Sequence, residues 1–154
     1  MTHLKEGQQA PDFTGMDQNS NRITLSALKG KKVILYFYPK DFTSGCTEEA
    51  CNLRDNYSEL MNKGYHIIGV SADDMKSHES FAEKYHLPFS LIPDPEKKIL
   101  HAYGVWGLKK MVGRESYGTL RTTFVISEEG TINKIFTKVQ TDDHTRQILN
   151  ALEV

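Results

Sequence analysis

The chain has little cysteine and almost no net charge. Only Cys46 and Cys51 stand among its 154 residues, too few for the disulfide framework of a small secreted domain. Lysines and arginines number 19 against 20 aspartates and glutamates, and no basic stripe runs through the sequence, so nucleic acid is not an expected partner. No apolar run approaches the about 20 residues of a membrane span. The opening Met1-Thr2-His3-Leu4-Lys5-Glu6-Gly7-Gln8 lacks the apolar core of a signal peptide. The expected compartment is therefore the cytoplasm, with no membrane partner. A cysteine pair there is more often catalytic or metal-binding than structural. The histidines, His3, His66, His78, His86, His101 and His144, are scattered. None stands at metal-ligand spacing from another or from a cysteine, so they read as surface or packing residues, and no metal or other cofactor is expected. There is no internal repeat, low-complexity tract or linker, and the length suits one domain over 1–154.

What is present is organised around Val33 to Met61. Val33-Ile34-Leu35-Tyr36-Phe37-Tyr38 is an apolar, β-branched and aromatic run, the pattern of a strand buried on both faces. Pro39 closes it. Thr43 and Ser44 both suit the N-cap of a following helix. Behind them Cys46, Ala50, Leu53, Tyr57, Leu60 and Met61 form one apolar stripe. Cys46 falls near the middle of that stripe in the first turn, and Cys51 lies about 140° round the helix from it. Free cysteines are often small core residues, a role that fits Cys46 by position and Cys51 poorly. A first-turn cysteine also meets unpaired N–H groups and the positive end of the helix dipole, which favour the reactive thiolate.

The remaining chain alternates strands and helices. Phe13-Thr14 and Arg22 to Leu25 read as short strands around the polar turn Asp17–Asn21, and Ser26 to Gly30 as a helical turn. Further strands are expected at Tyr65–Ser71, Pro88–Ile92, Arg121–Ile126 and Thr131–Phe136. Helices are expected at Asp73–His86, Glu96–Ala102 and Asp142–Glu153. Tyr103 to Leu120, rich in glycine, aromatics and basic residues, reads mostly as loop. This order gives an α/β fold with a mixed sheet.

Tyr38-Pro39-Lys40-Asp41-Phe42-Thr43-Ser44-Gly45-Cys46-Thr47-Glu48-Glu49-Ala50-Cys51 resembles the active-site segment of a peroxiredoxin, most closely the subfamily called bacterioferritin comigratory protein or peroxiredoxin Q. Pro39, Thr43 and Cys46 meet the family pattern, and a second cysteine five residues on, Cys51, marks the subfamily. The subfamily often has proline where this chain has Ser44, which leaves the turn less rigid. Tyr117-Gly118-Thr119-Leu120-Arg121-Thr122-Thr123-Phe124 is similar to the segment carrying the active-site arginine. Ala10-Pro11-Asp12-Phe13 resembles the family's N-terminal signature. The resemblance implies a thioredoxin-like fold, a central mixed sheet flanked by helices with an N-terminal hairpin.

It also implies a thiol peroxidase in antioxidant defence, acting on hydrogen peroxide and organic hydroperoxides. Cys46 would be oxidised to a sulfenic acid and Cys51 would resolve it as a disulfide, which thioredoxin or a similar dithiol reduces. Arg121, Thr43 and the Cys46 N–H would donate to the peroxide, the Thr43 hydroxyl could also accept from it, and Pro39 would shield the thiolate. Glu49 matches an acidic position that orients the arginine; by residue type it is equally a solvated helix acid. A monomer, or at most a weak dimer, is expected. Two other classes stay open: a thioredoxin-like disulfide reductase, and a binding or chaperone-like module with inert cysteines. Trp106, Tyr103, Met111 and Tyr117 could line an entrance or pack the long loop onto the body. In one regular helix the cysteine Cα atoms stand about 8.7 Å apart, beyond the about 7 Å a disulfide spans. Thr43 to about Asn52 is therefore expected to unwind when Cys46 is oxidised.

Overall fold

Asp17 makes the first turn of the chain. Its Oδ1 accepts from the N–H groups of Asn19 and Asn21, each at 2.9 Å, and so joins β1 (Thr14–Met16) to β2 (Arg22–Thr24) as a hairpin. The computed structural model describes residues 1–111 and 113–152, Met111 by its backbone alone. After a 3-10 turn at Leu25–Leu28 comes β3 (Lys32–Phe37), then α1 (Ser44–Asp55) and α2 (Tyr57–Asn62). Next are β4 (Tyr65–Ser71), α3 (Met75–Tyr85), β5 (Ser90–Pro93) and α4 (Lys98–Ala102). The chain ends with β6 (Trp106–Met111), β7 (Arg114–Thr119), β8 (Thr122–Ile126), β9 (Ile132–Phe136) and α5 (His144–Leu152).

The main sheet runs β5-β4-β3-β8-β9, parallel on the β5 and β4 side of β3 and antiparallel on the other. Alternation along β3 divides the core. Ile34, Tyr36 and Tyr38 pack with Cys46, Ala50, Leu53, Leu60, Phe81 and Ile148, beneath α1, α2, α3 and α5. Val33, Leu35 and Phe37 pack with Ile99, Leu100, Tyr103, Phe124 and the N-terminal segment, beneath α4 and the 3-10 turn. This is the expected mixed sheet flanked by helices on both faces, with its N-terminal hairpin.

Two expectations need correction. The single apolar stripe from Cys46 to Met61 is carried by two helices, broken at Asn56, whose side-chain amide donates to the Asn52 carbonyl at 2.9 Å. Tyr103 to Leu120 is not mostly loop: β6 and β7 pair antiparallel from Trp106↔Thr119 to Met111↔Arg114. Gly107 and Gly118 face each other in that ribbon, so its glycines sit inside strands rather than marking a loop. The last residue of the expected closing helix, Glu153, lies outside the described residues.

Leu53 is fully buried between α1 and the sheet, while Leu108 on the β6–β7 ribbon is exposed. Leu53→Ala should cost about 3 kcal/mol. Leu108→Ala should stay within about 0.5 kcal/mol. Urea unfolding of the two variants measures the contrast.

Candidate active site

The carboxyl end of β3 delivers the chain into Pro39 to Thr43 and then into the first turn of α1. Phe42 takes a left-handed backbone, φ 67°, which a bulky residue adopts only when its surroundings enforce it. Its ring packs on Phe81 at 5.2 Å. Asp41 supplies the restraint beside it. Its carboxylate accepts from Tyr38 Oη at 2.6 Å and Ser77 Oγ at 2.8 Å, and its N–H donates to Asp73 at 2.9 Å. Ser71 donates to Asp73 and pairs with His78 Nε2, each at 2.8 Å. Possible ligand atoms of Asp41, Asp73 and His78 lie within 4.8 Å of one another, with hydroxyl donors from Tyr38, Ser71 and Ser77 directed onto the carboxylates. The cluster clamps the loop before α1 to β4 and α3. Burial raises the Asp41 carboxyl to about 6, and burial lowers His78 to about 4.

Thr43 occupies the N-cap position but does not cap. Its hydroxyl donates to the Lys40 carbonyl at 2.7 Å, so of the two roles expected of it towards a peroxide the structure leaves the acceptor and removes the donor. Three residues on, Cys46 is buried on the inner face of α1. Arg121, just ahead of β8, directs Nη2 to Cys46 Sγ at 3.4 Å and Nη1 to Glu49 Oε1 at 2.7 Å. Gly45 makes room for this: a Cβ there would stand 3.2 Å from Nη2. Glu49 is fully buried, which removes the solvated-acid alternative. Burial raises its carboxyl to about 7 against the pull of Arg121. Burial opposes the Arg121 charge, but Glu49 and Cys46 together raise the guanidinium above its ordinary value.

Cys51 sits half-buried on the flank of α1, and both cysteines are free. Burial pushes its thiol up, with Arg54 opposing and Asp55 assisting. Pro39 is half-buried at the end of β3. Tyr103 is wholly buried, its hydroxyl on the Pro11 carbonyl at 2.6 Å, so it packs the body and lines no entrance. Trp106 is half-buried with Lys97 over its ring, and Tyr117 is exposed; the Met111 side chain lies outside the described residues. Three residues join the site without having been singled out as chemistry: His144, Thr123 and Lys109. His144 is wholly buried with Nε2 3.7 Å from Glu49 Oε2 and 2.8 Å from Thr123 Oγ1. Burial and the Arg121 charge lower the Lys109 ammonium, with Cys46 opposing.

A buried thiol at a helix N-terminus, faced by a guanidinium that a buried acid holds in place, is the arrangement that the sequence resemblance anticipates. In comparison with known proteins, residues 6–135 match the AhpC/TSA family. The chain belongs to the AhpC/TSA family. Within the family it is similar to the putative peroxiredoxin bcp of Coxiella burnetii, at 45% identity over 97% of this chain and 99% of that protein. Peroxiredoxin Bcp of Bacillus subtilis is 44% identical, over 97% and 96%. Among solved structures, Xanthomonas campestris bacterioferritin comigratory protein, described for its alkyl peroxide reduction activity, superposes with TM-score 0.88 at 32% identity, covering 97% and 98%. A mutant of Xylella fastidiosa PrxQ superposes with TM-score 0.90 at 29% identity, covering 98% and 96%. The fold is thus the thioredoxin-like one of these peroxiredoxins.

The buried acids and histidines give the family site a testable pH signature. Asp41 and Glu49 hold protons more tightly folded than unfolded, so their stabilisation falls as pH rises towards about 6 and about 7. His78 and His144, lowered from 6.5 to about 4, bind fewer protons folded than unfolded, so their contribution rises across that interval. The two trends oppose, and stability should be nearly flat between about pH 4.5 and about pH 6. Glu49→Gln removes one falling contribution, so urea-unfolding stability of that variant should climb with pH over the same range.

Proposed function

We propose that this chain is a thiol-dependent peroxidase in which Cys46 attacks the peroxide and Cys51 resolves the product. The observation that carries this reading is the Arg121 guanidinium, directed at the buried Cys46 sulfur and held from behind by Glu49. A disulfide reductase needs no such cation, and its cysteines must close without rearrangement. Here both lie in α1, with Cα atoms about 8.7 Å apart by helix geometry. An inert binding module leaves the buried charge cluster without a task. The relatives named peroxiredoxin support the peroxidase reading, and the activity described for the Xanthomonas campestris protein supports organic hydroperoxides beside hydrogen peroxide.

In the proposed reaction the Cys46 thiolate attacks one oxygen of the peroxide. The S–O bond forms as the O–O bond breaks, sulfur is oxidised by two electrons, and hydroxide or an alkoxide leaves and takes up a proton. Arg121 and the Cys46 N–H stabilise the negative charge as it moves to oxygen. Thr43 Oγ1, its own hydrogen spent on Lys40, accepts from the peroxide O–H. Pro39 shields the thiolate. The sulfenic acid then meets the Cys51 thiolate, which displaces hydroxide and forms the disulfide. Thioredoxin or a similar dithiol returns both thiols. The chain acts as one domain, as a monomer or weak dimer, in the cytoplasm. No helix among the described residues is long and apolar enough to cross a membrane.

Cys46→Ser should abolish peroxide consumption. Cys51→Ser should consume one equivalent and then stall unless a small thiol is supplied, followed by intact mass and free-thiol titration. Equal first-turnover rates for Cys46→Ser and wild type would overturn the assignment. Arg121→Met should slow oxidation of Cys46 more than about a hundredfold in stopped flow, the scale of a lost transition-state donor. An unchanged rate returns Arg121 to a structural role.

Closure of the disulfide requires α1 to open at its N-terminal end. Amide hydrogens from Thr43 to Asn52 should exchange faster in the disulfide form than in the reduced form. Equal protection in both forms means that the helix does not unwind.

A further inference from the structure

Asn52 stands one residue beyond Cys51, yet its side chain serves a different helix. Its Oδ1 accepts from the Thr145 N–H at 2.8 Å, in the first turn of α5. The N-cap residue of a helix ordinarily fills that role. Asp143, the residue before α5, turns its carboxylate towards α1 and accepts from Asn52 Nδ2 at 3.4 Å, as does the Asp142 carbonyl at the same distance. α1 thus caps α5 from outside. Thr145 is wholly buried, and its Oγ1 donates to the Asn52 carbonyl at 3.5 Å. That carbonyl also accepts from Asn56, through the side-chain amide at 2.9 Å and the N–H at 3.2 Å. Beyond Asn52, Leu53 is wholly buried and Arg54 Nη1 donates to the Tyr85 carbonyl at 2.8 Å. Ahead of Asn52 the polar ties can part without opening α5: Arg121 with Cys46 and Glu49, and the Thr141 hydroxyl on exposed Glu48 at 2.6 Å.

We propose that Asn52 is a positioning residue for disulfide closure: its hydrogen bonds to α5 stop the unwinding of α1 just past Cys51 and hold that cysteine in place while Cys46 comes to it. This rests on the roles of Cys46 and Cys51 proposed above. Helix opening is cooperative and runs along the chain until its cost rises. Were it to run through Asn52, the buried Thr145 would lose the acceptor of its N–H, and α5 would lose its cap. The cost therefore rises one residue after the second cysteine. With Cys51 held, only Cys46 has to move, and the encounter of the two sulfurs needs less search.

Amide exchange on the unmodified protein tests the stop. The disulfide form is made with diamide, a diazene that takes up the two hydrogens as the S–S bond forms, so this reading needs no peroxidase activity. Exchange should quicken from Thr43 to Asn52, while the Thr145 and Asn56 N–H groups stay within about threefold of their rates in the reduced form. Loss of protection at Thr145, or no quickening anywhere in α1, overturns the proposal. The kinetic test separates the two steps by stopped flow and intact mass. Asn52→Ala should leave oxidation of Cys46 by hydrogen peroxide within about twofold and slow disulfide formation about fivefold, the scale of one lost cap. The longer-lived sulfenic acid should then pass to sulfinic acid at lower peroxide. Asn52→Asp combined with Asp143→Asn keeps an acceptor for the Thr145 N–H and an amide facing it, and should restore the closure rate. A general loosening of the fold would slow both steps alike. That result, closure as fast as wild type, or no rescue by the exchanged pair would each overturn the role of Asn52. Should Asn52→Ala fail to fold, the exchange rates decide the matter. A wild-type protein inert to peroxide sinks the peroxidase reading. Normal oxidation of Cys46 with exchange running on into α5 sinks the role of Asn52 alone.

Discussion

The reactive end of the sheet depends on one guanidinium held between a buried carboxyl and a buried sulfur. Arg121 leaves the edge of β8, crosses to α1, and meets Glu49 and Cys46 through two different nitrogens. The contact lets Glu49 be buried at all, because a buried acid without a partner costs several kcal/mol, about 3–5 when one member of a buried pair is removed. It also aims Nη2, since a guanidinium is planar and fixing Nη1 fixes the rest. Gly45 belongs to the same constraint: its missing Cβ is the space through which Nη2 reaches the sulfur. The contact goes with the rotation in which α1 packs, with Cys46, Glu49, Ala50 and Leu53 all turned inward.

The same contact opposes the motion that the proposed chemistry requires. Opening the N-terminal turns of α1 takes Cys46 out of the core and separates Glu49 from Arg121. The far half of α1 is better anchored. Asn52 Oδ1 accepts from the Thr145 N–H at 2.8 Å, and Leu53 is wholly buried. At the near end, the clamp of Asp41 on Tyr38, Ser77 and Asp73 holds the loop that precedes Thr43. The segment proposed to unwind is thus bounded by Asp41 before it and Asn52 after it, and both cysteines lie inside those bounds. Glycine at 45 and the absence of a side-chain cap lower the cost of opening from within.

The fold and most of the site were legible because they are written in local pattern. The β3 run, the stripe of α1 and the alternation of β9 are each periodic over several residues, and the motif around Cys46 is contiguous. Features that depend on long-range contact were not legible. His144 stands 95 positions after Glu49 in the numbering, and nothing in the residues around either marks their meeting. Asp41 lies inside the recognised segment, but its partners Asp73 and Ser77 come from the turn after β4 and from α3. The β6–β7 ribbon was hidden by its glycines, which read as breaks when alone but face each other once the strands are paired. The break at Asn56 follows from a side-chain hydrogen bond that competes with the helix, and helical periodicity continues across it.

Thr43 joins the stability of α1 to its chemistry. A threonine at the N-cap ordinarily accepts from a first-turn N–H and is worth about 1 kcal/mol to the helix. Here the hydroxyl turns back to the Lys40 carbonyl and that cap is absent. The helix gives up stability and keeps its first N–H groups unclaimed at the turn that carries Cys46. In the proposed reaction the Cys46 N–H and Arg121 Nη2, which stands 3.4 Å from the sulfur, are the donors, and the Thr43 oxygen is the acceptor. A peroxide needs both, an acceptor for its O–H and donors for the oxygen that gains charge. On the proposed mechanism the uncapped turn that receives the peroxide also makes α1 easier to open, so one local feature of the helix would serve both the attack on peroxide and the disulfide closure that follows it.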